Sequence, residues 1–427
     1  MEKTTESSVE SVKRVLQFYY LCFAALLVFG ITFQVALTNI VGLPAFFDEL
    51  VLIFMLADIS FRALKNSSAK RALILYAISF TILFALSFSA IGNRGIFAVC
   101  LQIFIHLKFI VFIGYLWLVF GPTRLRFVAL AVLALTAFFM FINLATGATF
   151  NQIFEVATNI RGGLVRPIGF QGDTASLGTT IALLGIFLVT IIARSNRQLA
   201  IIFLVSLAVL LFLSSSRTSM IVLPIMVAWW FRQSIKAAAI AGVLVLLLVV
   251  TAPSNPYIAE LIEITEQNIE WTVDNPVESA YIRGIMIFFS FELANQNFPF
   301  GTGAATYGTV MSEESFVYAE LGLHNSRFFI ETDGIYDSNL ASLLGEFGYL
   351  GLVIYLALFY KAITLFRSES VEQPNEFTFA ICMAALVFGI STPLFMNTYP
   401  AFILALVCAA SYSEKPQTSE AIPSHSS

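Results

Sequence analysis

Four short stretches of this chain set an arginine or an acid among glycine, serine and proline in otherwise apolar surroundings. The first is Arg166-Pro-Ile-Gly-Phe-Gln-Gly-Asp173-Thr-Ala-Ser-Leu-Gly178, and the second is Ser215-Ser216-Arg217-Thr-Ser219. The third runs from Arg283 to Pro299-Phe-Gly301-Thr-Gly303. The fourth is Asp337-Ser338-Asn339, followed by Gly345-Glu346-Phe-Gly348-Tyr-Leu-Gly351. Arginine presents a planar fork of donors that grips phosphate or carboxylate bidentately. Capture of an anion is thus the chemistry these residue types offer. The competing reading is structural, because an arginine at a membrane interface often snorkels or caps a helix.

The elements that hold these stretches are set by composition. The chain has 427 residues, 58% hydrophobic and 12% charged, with a mean hydropathy of +0.85. Soluble domains carry about 45–50% apolar and about 25% charged residues. A soluble enzyme, a disordered chain and a disulfide-stapled secreted domain are all excluded, which leaves an all-α polytopic membrane protein. Cys22, Cys100, Cys382 and Cys408 lie in apolar runs without CxxC spacing and read as small buried hydrophobes. The apolar run that starts near Val15 has no small-residue cleavage site, so a first transmembrane helix is expected rather than a signal peptide.

At about 20 apolar residues per crossing, about twelve spans are expected. They lie near 15–37, 46–64, 72–90, 96–120, 127–147, 176–194, 199–214, 218–231, 237–252, 340–361, 376–394 and 398–412. This divides the chain into a cytoplasmic segment 1–14, a bundle 15–252, a long outer loop 253–339, a C-terminal set of spans 340–412 and a polar cytoplasmic tail 413–427. With the N-terminus inside, 16 of the 23 Lys and Arg fall on cytoplasmic segments and 6 outside, with Lys108 within a span. That asymmetry obeys the positive-inside rule. All the outer basic residues are arginines: Arg94, Arg161, Arg166, Arg217, Arg283 and Arg327. In the loop, Asn255-Pro256 opens an amphipathic helix whose Glu260, Glu263, Glu266 and Glu270 share one face. It is expected to lie on the membrane surface. A second helix is expected over about 277–295.

In this order, the four stretches resemble the O-antigen ligase and Wzy-type polysaccharide polymerase family. They match its Arg-x-x-Gly segment, its Ser-Arg turn, its Arg-led helix before Pro-x-Gly-x-Gly and its Glu-x-Gly-x-x-Gly helix. The likeness covers roughly residues 150–360. It implies a membrane glycosyltransferase, resembling the GT-C type, that uses a glycan linked through pyrophosphate to a polyprenyl lipid. Arg166, Arg217 and Arg283 would then bind the pyrophosphate and stabilise its developing charge. Asp337 would be the base at the acceptor hydroxyl, with His324 as second candidate. The family's ligases carry a His-Asn pair where this chain has Asp337-Ser338. The likeness therefore points to polymerisation of repeat units of a surface or exopolysaccharide at the bacterial inner membrane.

Two rivals stay open: a ligase that moves glycan to lipid A core or protein, and a transporter or flippase without chemistry. The implied partners are lipid-linked glycan donor and acceptor, membrane lipid, a chain-length regulator and a flippase. No nucleic-acid module is visible. Gly301-Thr-Gly303 lacks the Gly-Lys-Ser/Thr of a phosphate-binding loop, and three histidines without grouped acids point to metal-free, cofactor-free chemistry. Asp58, His106 and Lys108 are ionisable at membrane depth and read either as functional groups or as an Asp58–Lys108 packing pair. Asp48 and Glu49 are expected at the outer end of their span, facing water or a lipid-phosphate cavity.

Overall fold

A computed structural model describes residues 2–44, 46–161, 164–214, 216, 218–220, 222, 256–331, 334–366, 370–371 and 375–414. The spans expected at 218–231 and 237–252 lie almost wholly outside these residues. The helices are α1 (Glu2–Thr32), α2 (Gln34–Val41), α3 (Phe47–Ala63), α4 (Ser67–Leu86), α5 (Ile96–His106), α6 (Lys108–Thr146), α7 (Thr174–Ser195) and α8 (Arg197–Leu213). After them come α9 (Pro256–Asp274) and α10 (Ile282–Gln296) in the long loop, then α11 (Asn339–Ile363), α12 (Asn375–Ser391) and α13 (Thr398–Ala410). Among the described residues the strands are two ladders of two residues per strand.

Polar residues just before the apolar runs set the helix starts. Asn66, Asp173, Asn196, Ser338 and Asn397 each accept a hydrogen bond from a backbone N–H of the first turn. Each satisfies a donor that the helix itself cannot. Helices occupy the other ten expected spans. Four of them are long and apolar enough to cross a membrane: α4, α6, most of α7, and α11. A fifth span results if α1 and α2, bent by 78°, count as one. The remaining apolar helices have 10–17 residues, less than the bilayer core requires by itself.

Two of the long helices are broken rods. Within α6, Gly121 has φ 69° and ψ 163° and is followed by Pro122, so the helical ladder stops there. Lys108 donates to Thr398, while Gln171 bridges Thr136 and Tyr399. Residues 108 and 136 thus both meet the start of α13, although a straight helix would hold them about 42 Å apart. The two halves of α6 therefore form a hairpin. In α11 the break is Gly348, at φ 63° and ψ −169°. The Phe395 N–H donates to Asn339, and its ring lies 4.9 Å from that of Phe359. A straight helix would separate residues 339 and 359 by about 30 Å, so α11 folds back at Gly348.

Contacts between distant segments agree with two faces. On one, Arg94 donates to the carbonyls of Met311 and Glu313 in the long loop. On the other, Arg126 donates to the carbonyls of Ala410 and Tyr412. These are called the loop face and the tail face below.

The charged groups at membrane depth pair differently from the expected Asp58–Lys108 contact. Asp58 bonds Arg62 one turn along its own helix and accepts from Tyr20. Lys108 lies 3.9 Å from Asp48 and donates to Thr398, which bonds Asp48 in turn. Asp48 is therefore buried against two helices rather than facing water. The correction follows from the fold of α6, which brings Lys108 to the loop-face end of α3 and not to its middle.

Candidate functional site

The four motif stretches meet in two pairs. The first and second meet at Gly178 on α7. A Cβ there would stand 2.4 Å from the side chain of Ser216, so only glycine admits the turn that carries Ser216 and Ser219. Ser216 and Ser219 are bonded at 2.8 Å, and Thr218 is bonded to Ser391 at 2.7 Å. Arg217, between them, lies outside the described residues. Arg166 follows the small ladder, with its N–H on the Asn159 carbonyl and its side chain half-buried.

The third and fourth stretches meet at the break in α11. Because the helix ends at Gly348, the carbonyls of Gly345 and Glu346 lose their intrahelical partners. The N–H groups of Thr302 and Gly303 take them, at 3.1 Å and 2.6 Å, and the Leu350 N–H turns to the Pro299 carbonyl at 3.2 Å. The Pro-x-Gly-x-Gly stretch is thus a backbone splint laid across a broken helix. A Cβ on Gly348 would meet the Pro299 carbonyl oxygen at 2.4 Å, and one on Gly301 would meet the Gly348 nitrogen at 2.4 Å. Both glycines also need a positive φ. Gly348→Ala is therefore expected to cost more than the roughly 1–2 kcal/mol of a left-handed residue alone. The check is a fall in membrane abundance and in melting temperature in detergent; an unchanged melting temperature would refute the splint.

Beneath the splint lies a buried acid. Glu346, with no exposed surface, accepts from the Thr306 N–H at 3.1 Å and from the Thr309 hydroxyl at 2.8 Å. Its other oxygen is 2.9 Å from Nε2 of His106, which is equally buried. His106 ends α5 where Leu107 breaks the span, and its carbonyl accepts from Tyr355. A second small core of Ile285, Phe289, Tyr307, Tyr318 and neighbours clamps the loop onto the first turns of α11.

At the start of α11, Arg283 meets Asp337. Nε and one terminal nitrogen of Arg283 donate to the same Asp337 oxygen, at 3.1 Å and 2.9 Å. Both side chains keep about 30% of their surface exposed. Ser338, not Asp337, caps the helix. The charge of Asp337 reaches the first pair of stretches. Burial pushes the Asp173 carboxyl up from its usual range, the Ser176 hydrogen bonds pull it back, and the charge of Asp337 also raises it.

Of the residues expected to act together, the structure joins Arg283 with Asp337. His324 lies exposed in a turn between short helices of the loop. The sequence reading did not single out Glu346 and His106 as partners. The available signal was a lone acid and a lone histidine in separate apolar runs, each expensive at that depth unless matched by the other. Among the described residues there is no group of three or more His, Cys, Asp or Glu that could hold a metal ion.

No curated protein matches the chain. Residues 201–356 match a family model described as O-antigen ligase, over a stretch that includes the Ser216 turn, Arg283, the splint, Asp337 and Glu346. Members of that family, ligases and polymerases alike, are membrane enzymes of the glycosyltransferase kind that act on lipid-linked glycans. Over residues 201–356, then, this chain is similar to the O-antigen ligase family.

Proposed function

We propose that this protein polymerises polyprenyl-pyrophosphate-linked oligosaccharide units at the bacterial inner membrane, in surface or exopolysaccharide synthesis. The observation that carries the reading is the Arg283–Asp337 pair, with both side chains about 30% exposed, where α11 begins. In the proposed reaction Asp337 accepts the proton of the acceptor hydroxyl as that oxygen attacks the anomeric carbon. The bond from that carbon to the pyrophosphate breaks, and the growing chain passes to the new unit. Arg283 keeps Asp337 ionised, since a neighbouring cation favours the charged form. Arg166, Arg217 and Arg283 receive the charge that develops on the leaving pyrophosphate. An apolar cleft lined by Leu340, Leu356, Phe359 and Phe395 opens one turn from Asp337 and suits the polyprenyl chain. Twelve spans, cytoplasmic termini and a GT-C-like arrangement belong to the same proposal, as do a flippase and a chain-length regulator as partners.

Reconstitution tests it. Purified protein in vesicles with lipid-linked repeat units alone is expected to yield a ladder of lengthening glycans. Transfer only when a lipid A core or protein acceptor is added, with no lengthening, would replace polymerase with ligase. Movement of units across the bilayer without new glycosidic bonds would replace both with a flippase.

A further inference from the structure

We infer that the long loop is partly embedded in the bilayer. The surface that enters is an aromatic patch formed by Phe288 and Phe291 of α10 together with Phe298 and Phe300 of the splint, and its partner is the lipid acyl region.

The argument starts from a length. The part of α11 after the break, 349–363, is about 22 Å long at 1.5 Å per residue. The hydrocarbon core is about 30 Å thick. The part before the break cannot make up the difference toward lipid, because residues 341–348 are all buried within the protein. On this side of the molecule roughly 8 Å of acyl region must then border whatever lies above Gly348.

What lies there is apolar and exposed. Leu350 and Val353, on the spanning half of α11, and Phe288, Phe291, Phe298 and Phe300 are each between 41% and 72% exposed. The surface is continuous across the break. The Leu350 N–H bonds the Pro299 carbonyl, the Phe298 ring lies 6.2 Å from that of Tyr349, and the Tyr349 hydroxyl bonds Asn295 of α10. Leu350 and Val353 face lipid by their place in a membrane span, so the phenyl rings extend an established lipid surface rather than starting a separate one. Exposing four such rings to water in one patch would be costly. Glu292, partly exposed, and Asn295, exposed, lie beside Phe288 and Phe291 and supply the polar rim that the headgroup boundary requires.

The unmodified protein can be tested in vesicles of phosphatidylethanolamine and phosphatidylglycerol doped with a lipid that carries a diazirine in its acyl chain. After illumination, mass spectrometry of peptides should find label on 288–300 as readily as on 349–356. Label on 349–356 with none on 288–300 would overturn the inference, whether water or a second copy of the chain covers the patch. Phe298→Ser with Phe300→Ser should reduce label on 288–300 severalfold and leave 349–356 unchanged; undiminished label there would also overturn it.

Discussion

Asp337→Asn is expected to reach normal abundance in the membrane and to make at least about 100-fold less polymer, the scale on which a general base acts. Normal abundance follows from the fold. Ser338 supplies the cap of α11, and the Arg283–Asp337 pair is exposed enough that losing it should cost no more than about 1 kcal/mol. The asparagine fills the same space but accepts no proton at neutral pH. Single repeat units should accumulate in its place. Arg283→Lys keeps the charge and loses the fork. It should reduce the rate about 30- to 1000-fold if Arg283 acts on the developing charge as an oxyanion donor does, at roughly 2–4 kcal/mol. Ladder length at matched abundance is the measurement. Normal ladders from Asp337→Asn, with none from His324→Ala, would move the base to His324 and favour the ligase reading.

The second large effect lies in the buried pair. Glu346 serves the Thr306 N–H, the Thr309 hydroxyl and His106 together. Glu346→Leu would leave these donors without their acceptor in a dry interior, which is expected to cost about 3–5 kcal/mol. His106→Phe fits a similar volume against Phe347 and Tyr355 and leaves Glu346 with its loop donors, so it should cost less. Unfolding of the purified variants in detergent would show the order. Equal losses would mean that the His106–Glu346 contact dominates and that the anchoring of residues 306–309 is secondary. Glu346→Gln keeps an acceptor oxygen for the loop and should fall between the two.

Much of the fold was legible in the sequence because its causes are local. A run of apolar residues must be helical in lipid, since every backbone group has to be satisfied within the segment. Asn66, Asp173, Ser338 and Asn397 cap the runs they precede. Of the two loop helices, α9 begins at the expected Pro256, and α10 ends near the expected 295 but begins at Ile282, five residues after the expected start. The arginines and the acid were legible by residue type, and their order carried the family likeness.

Tertiary structure alone decided which of them meet. Composition registers the turn at Gly121, which falls between the spans expected at 96–120 and 127–147, but not the break at Gly348, where the residues on either side remain apolar and hydropathy averages across them. Those breaks determine that α6 is a hairpin, that Lys108 reaches Asp48 instead of Asp58, and that half of α11 is enclosed by protein. They also assign the glycine motif its work, since Gly301 and Gly303 matter for the carbonyls that a bent helix leaves open. A partner at membrane depth is selected by which groups lose water together. That depends on where helices bend and cross, a property of the packed chain that no window of sequence contains.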